Sequence, residues 1–137
     1  MIRILLADDH ALVRRAFRSI LSADRTCEVC AEAADGEEAV ALVAAQRPDV
    51  VILDLVMPRV GGIEAARRIH ALMPECQIAI VTMHEGDEFV RAAVAAGVRT
   101  FLHKSDADEH LLPAVHALAA RRPYVAPPSD AALAANP

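Results

Sequence analysis

Aromatic side chains are nearly missing from this sequence, which has three Phe, one Tyr and no Trp in 137 residues. Its core must therefore be built from Val, Leu, Ile and Ala. Alanine-rich helices over Val/Ile strands suit an α/β protein better than an all-β one. There is no excess of positive charge either: 14 Lys and Arg against 19 Asp and Glu leave a formal net charge of −5. A basic face for nucleic acid is thus not evident in this segment. No apolar run approaches the roughly 20 residues needed to cross a bilayer, so no membrane span is expected. Arg3 interrupts the first apolar run and Asp8-Asp9 end it, which is wrong for a signal peptide. The expected location is the cytoplasm.

Cysteine is scarce and odd in number, at three. Cys27 and Cys30 have the C-x-x-C spacing of redox and zinc motifs. The stretch around them reads as a strand, however, where positions three apart point to opposite faces. Reduced thiols are the expectation for all three. The six histidines are scattered, with no H-x-x-x-H metal-ligand spacing.

What the sequence does have is apolar material, 55% of all residues, enough to bury one core at this length. It comes in alternating short runs and helical periods. Ile2–Ala7 reads as a strand. Val13, Phe17, Ile20 and Leu21 then share one helical face over 11–22. Cys27–Ala33 is a weaker strand. Asp35 and Glu38 form a D-x-x-E capping box for a helix through Gln46, and Pro48 marks the break after it. Val50–Leu53 is a continuous apolar run, as a buried parallel strand requires. A loop through Met57-Pro58 and Gly61-Gly62 leads to a helix with Ile63, Ala66, Ile69 and Met73 inward, closed by Pro74. Ile78–Val81 is the next buried strand. Over 88–96 a helix is expected with Val90, Ala93 and Val94 inward and Gly97 at its C-terminal cap. Thr100–His103 is a fifth strand, and a last helix carries Leu111, Val115, Leu118 and Ala119. Five strand-then-helix units imply parallel strands, right-handed crossovers and helices on both faces, a doubly wound α/β sandwich. Residues 1–122 form this domain. Residues 123–137 hold Pro123, Pro127, Pro128 and Pro137 among small and polar residues and read as a linker or tail, expected to be cut from a longer chain.

In such a sheet, ligands bind beyond the carboxyl ends of the strands. The residues there are Asp8 and Asp9, Asp54, Thr82 and Lys104. Singly, each has an ordinary reading: a helix cap for Asp9, a turn for Asp54, a strand residue for Thr82, a solvated charge for Lys104. Gathered at one rim, they make a different set. Crowded carboxylates repel, and a hard divalent cation offsets that. Mg²⁺ prefers oxygen ligands and commonly joins one or two carboxylates to a phosphate. A hydroxyl and a compact cation complete what phosphoryl transfer to a carboxylate nucleophile needs.

This constellation closely resembles the response-regulator receiver family. The matching stretches are Ala7-Asp8-Asp9-His10, Asp54-Leu55-Val56-Met57-Pro58, Gly61-Gly62, Val81-Thr82-Met83-His84 and Phe101-Leu102-His103-Lys104, over residues 2 to about 122. His10, the Thr-Met-His triplet and the Tyr124-Val125-Ala126-Pro127 ending resemble its NarL/FixJ (LuxR-type) branch. The resemblance implies a flavodoxin-like five-stranded sheet of order 2-1-3-4-5. It implies Asp54 as phosphoacceptor and Mg²⁺ on Asp9 and Asp54, with Asp8 helping through water and Val56 through its backbone carbonyl. Thr82 would hydrogen-bond the phosphoryl group and Lys104 would pair with it. Phe101 matches an aromatic switch position that moves with Thr82 and repacks the face of helix four, strand five and helix five. The implied donor is a phosphohistidine on a sensor histidine kinase. The domain would promote only its own phosphorylation and dephosphorylation and would otherwise be no enzyme.

DNA binding would belong to a C-terminal helix-turn-helix domain absent from this chain. A stand-alone receiver, passing phosphate or binding a protein, is the alternative, and a homodimer is left open. Leu12, off the apolar stripe, and Pro58 are candidate docking residues for the kinase. His84 and Val56 flank the site and should influence hydrolysis. Departures from the family pattern are Phe101 in place of Tyr, a large Met83, Ser105 where many receivers have Pro after the Lys, and Pro113 within helix five, which must kink that helix or delay its start. Two enzyme readings fail on the residues. A haloacid-dehalogenase-type phosphatase needs D-x-D, and Asp54-Leu55-Val56 lacks the second Asp. A flavodoxin needs a Ser/Thr/Gly-rich phosphate loop, and Asp8-Asp9-His10 is the opposite.

Overall fold

A computed structural model describes residues 1–84 and 86–124. The elements are β1 (Ile2–Ala7), α1 (Ala11–Ser22), β2 (Cys27–Ala33), α2 (Gly36–Gln46), β3 (Val50–Leu53), α3 (Gly62–Leu72), β4 (Gln77–Thr82), α4 (Asp87–Ala95), β5 (Thr100–His103), a 3₁₀ turn (Lys104–Asp106) and α5 (Ala107–Ala119). The strands are all parallel, in the order β2-β1-β3-β4-β5. The expected sheet order and the five strand-helix units are both present. Most of the expected linker, 125–137, lies outside the described residues, as does the Val125-Ala126-Pro127 part of the ending.

Strand alternation sorts the core into two layers. Leu5, Val51, Ile78 and Ile80 meet Ala39 and Val43 of α2, Ala66 and Ile69 of α3 and Ala93 of α4. On the other face Ile4, Leu6, Ile52, Val81 and Leu102 meet Phe17 and Leu21 of α1 and Leu111, Val115 and Leu118 of α5. Each such Leu, Ile or Phe contributes roughly 1.5–3 kcal/mol by leaving water. Aliphatic packing therefore suffices where aromatics are few.

Local signals set the helix ends. The Asp35 carboxylate accepts from the Glu38 N–H at 2.8 Å, the N-cap half of the expected box. Gly97 follows the end of α4 with φ of 100°, a backbone that costs glycine little. Gly62 is needed for closeness: a Cβ there would lie 2.1 Å from the backbone oxygen of Asp54.

Some details depart from the pattern read in the sequence. Val90 and Val94 of α4 are exposed, Val94 at 64%, and of the three apolar positions assigned inward only Ala93 is buried. A nine-residue helix at the sheet edge presents a narrow inner face. Ala119 is exposed as well, being the last residue of α5. That helix starts at Ala107 and runs through Pro113, so its start is not delayed. Strand β2 carries a bulge, since its pairing with β1 skips Cys30 between Val29 and Ala31. The skip reverses the alternation. Cys27 and Val29 face the α1/α5 layer, and Ala31 and Ala33 face the α2/α3 layer. No disulfide joins the three thiols. Burial pushes the Cys76 thiol up to about 12.

Candidate phosphoacceptor site

The chain runs from β1 outward to β2 and then returns to β3 on the other side of β1. The crevice beyond β1 and β3 is thus the switch point where parallel sheets place ligands. Backbone pairing continues one residue past the strands. The Asp8 N–H donates to the Ala33 carbonyl at 3.0 Å, and the Asp54 N–H donates to the Ala7 carbonyl at 2.9 Å. Both aspartates are thereby fixed side by side before their side chains are considered.

Lys104, just past β5, reaches across to them. Its Nζ lies 2.8 Å from Asp8 Oδ2 and 3.1 Å from Asp54 Oδ2. The three side chains are only 11%, 4% and 7% exposed for Lys104, Asp8 and Asp54 respectively. Burial works to lower the Lys104 pKa, but the two carboxylates outweigh it and the net shift is upward. The other oxygen of Asp54 accepts from the Leu55 N–H at 2.8 Å. Asp8 Oδ1 accepts from the His10 N–H at 2.8 Å. Asp9 does not cap α1: the N-cap position is His10, with no side-chain capping bond. The His10 ring instead sits between the acids, Nδ1 being 3.1 Å from both Asp8 Oδ1 and Asp9 Oδ1.

Asp8, Asp9 and Asp54, with His10, bring their donor atoms within 4.8 Å of one another. Asp8 Oδ2 is buried, and its close partner is the Lys104 ammonium at 2.8 Å. Three clustered carboxylates that share one ammonium, in an oxygen-rich set, fit a hard cation. A cleft of about 190 Å³ opens here, lined by Asp9, His10, Asp54, Val56, Met83, His84 and Lys104. Val56 is exposed at the rim.

The structure brings Asp8, Asp9, Asp54 and Lys104 together and holds Thr82 one strand away. Thr82 is fully buried at the end of β4, and its hydroxyl accepts from the His84 N–H at 3.2 Å. Phe101 is half-buried on β5 beside a cavity of about 240 Å³, which Val90, Val94, Val98 and Tyr124 also line. Leu12 is 75% exposed and lines a separate apolar cleft of about 360 Å³ with Phe17, Met83, Lys104 and Ser105. Pro58 is exposed but does not line that cleft. No cis peptide bond occurs among the described residues.

Two contacts were not legible in the sequence. One is the His10 bridge. The other is His103, whose Nε2 lies 3.0 Å from the Met83 carbonyl, tying β5 to the loop after β4. Both depend on rotamers that strand-end logic does not reach. The only hint was that each histidine adjoins a strand-end residue.

Residues 4–116 match the family described as response regulator receiver domain. Over 118 residues the chain is 40% identical to the transcriptional regulatory protein YxjL of Bacillus subtilis, covering 86% of this chain and 54% of that one. It is also 40% identical over 124 residues to the oxygen regulatory protein NreC of Staphylococcus epidermidis, covering 90% and 57%. The chain thus spans about half the length of these relatives. Among solved structures, a LuxR-family response regulator from an Aurantimonas species superposes with a TM-score of 0.88 at 38% identity, covering 97% of this chain and 95% of that one. The receiver domain of a NarL-type regulator from Mycobacterium tuberculosis gives 0.85 at 30% identity, covering 88% and 98%.

Proposed function

This chain belongs to the response regulator receiver family, of the NarL/LuxR type, and from that premise we propose that Asp54 accepts a phosphoryl group from a sensor histidine kinase. One observation carries the reading: a nearly buried ammonium, that of Lys104, already bridges Asp8 and Asp54. An oxygen of Asp54 forms the new O–P bond while the P–N bond of a phosphohistidine breaks, and the electron pair leaves on the imidazole nitrogen. Asp8, Asp9, Asp54 and the Val56 carbonyl are the groups that would hold Mg²⁺, which when bound supplies positive charge against the crowded oxygens. Lys104 follows the phosphoryl oxygens from its place on Asp54 Oδ2. The Thr82 hydroxyl accepts from His84, which leaves its own proton to donate to the phosphoryl group.

About two negative charges at Asp54 would draw Thr82 and Lys104 inward. Phe101 would then take the room Thr82 leaves, repacking α4, β5 and α5. Two states a few kcal/mol apart are enough for such a switch. The domain acts as a switch and promotes only its own phosphorylation and dephosphorylation. Because a relative about twice as long is named a transcriptional regulatory protein, the proposed output is transcriptional, through a DNA-binding domain.

Incubation with acetyl phosphate and Mg²⁺, followed by intact mass, tests this. The expected result is one added phosphoryl group, absent in Asp54→Asn and reduced when Mg²⁺ is chelated. Equal addition to Asp54→Asn, or none to the unaltered protein, overturns the assignment.

A further inference from the structure

A second group of ligating side chains lies away from the Asp54 rim, at the end of the sheet where the strands begin. Asp24 sits in the turn between α1 and β2, Cys27 opens β2, and His116 lies in the last turn of α5. A carboxylate oxygen, a sulfur and an imidazole nitrogen from these three lie within 4.8 Å of one another. His116 Nε2 is 2.6 Å from Asp24 Oδ2, a contact between residues 92 apart in sequence. The other carboxylate oxygen of Asp24 accepts from the Thr26 hydroxyl at 2.6 Å and the Thr26 N–H at 2.8 Å. Cys27 is buried, whereas the Asp24 and His116 side chains are 22% and 41% exposed.

We propose that Asp24, Cys27 and His116 bind one zinc ion, which braces α5 against the turn between α1 and β2. The donor set selects the metal. A thiolate and an imidazole are poor ligands for Mg²⁺ or Ca²⁺, while zinc takes sulfur, nitrogen and carboxylate oxygen together. Zinc bond lengths of about 2.0–2.3 Å place tetrahedral ligand atoms about 3.3–3.8 Å apart. The Asp24–His116 contact must widen toward that spacing. In doing so the ion takes the place of the hydrogen between them, and the imidazole moves its proton to Nδ1. The Cys27 proton is released to solvent as its sulfur becomes a thiolate.

Thr26 supplies what metal ligands need behind them. By fixing one carboxylate oxygen it aims the other at the site. The Thr26 hydroxyl and N–H, with His116, hold the Asp24 carboxyl down to about 2, so it arrives ionised. Burial, and then the nearby charge of Asp24, push the Cys27 thiol up. The ion's charge opposes both effects. Three protein ligands beside partly exposed side chains leave the fourth position for water.

Titration of the 137-residue protein with Co²⁺, whose spectrum reports its ligands, tests the site. One equivalent is expected to produce a thiolate-to-cobalt charge-transfer band with tetrahedral visible bands, both abolished by Zn²⁺. Cys27→Ser should remove the charge-transfer band, while Cys30→Ser, Cys76→Ser and Asp54→Asn should keep it. His116→Gln alters a half-exposed residue and leaves the fold intact by circular dichroism. It should weaken cobalt binding at least tenfold and abolish the rise in Tm that Zn²⁺ gives the unaltered protein. Absence of the thiolate band at one equivalent, its loss in Cys30→Ser, or an unchanged titration in folded His116→Gln overturns the proposal.

Discussion

Asp8 and Asp54 are buried carboxylates whose nearest positive charge is the single ammonium of Lys104. Removing one partner of a buried ion pair typically costs about 3–5 kcal/mol, because the remaining charge is left without compensation. Lys104→Ala is therefore expected to lower the Tm clearly in metal-free buffer. The same lysine competes with a cation for Asp8 Oδ2 and Asp54 Oδ2. Added Mg²⁺ should then raise the Tm of Lys104→Ala more than that of the unaltered protein. Thermal unfolding with and without Mg²⁺ measures both, and equal metal shifts in the two proteins would remove Lys104 from the site. At this scale the sequence was informative where position alone decides. Asp8, Asp9, Asp54 and Lys104 follow from where strands end. The rotamer of His10 does not, nor does the Thr82 hydroxyl facing the His84 N–H, because each is settled by neighbours fixed only in three dimensions.

Elements are specified by periodicity, and they are misread where periodicity breaks. The bulge at Cys30 moves the inward set of β2 from one face to the other, which is why Cys27–Ala33 showed a weak strand pattern. In α4 a valine stripe of the right spacing is largely exposed, since spacing tells which residues share a face and not how much of that face is covered. Pro113 is the opposite case, a breaker that tertiary packing overrides. It lies exposed inside α5 while Leu111, Ala114, Val115 and Leu118 around it are buried. Proline is about 3 kcal/mol less favourable than alanine in a helix interior, a net figure that already includes the stiffer unfolded chain. Pro113→Ala should stabilise the protein by up to about 3 kcal/mol, seen as a higher urea midpoint with an unchanged slope. An unchanged midpoint would mean that α5 accommodates the ring without loss.

For the molecule as a whole, topology is what turns distant residues into a site. The two-layer packing was legible because continuous apolar strands alternate with helices, and the sheet order then sets Asp8 beside Asp54 through Ala33 and Ala7. The apolar cleft at Leu12 and the group at Asp24, Cys27 and His116 were not legible, because each joins elements far apart in the chain. In the proposed function these strand-end groups converge on one phosphoryl-bearing, metal-assisted carboxylate. A crystal structure of the chain with Mg²⁺ and beryllium trifluoride, a phosphoryl stand-in, decides the matter. The expected structure has the adduct on Asp54, the metal on Asp9, Asp54 and the Val56 carbonyl, and both Thr82 Oγ1 and Lys104 Nζ on the fluorines. An adduct on another residue, or Thr82 and Lys104 turned away from a modified Asp54, would contradict it.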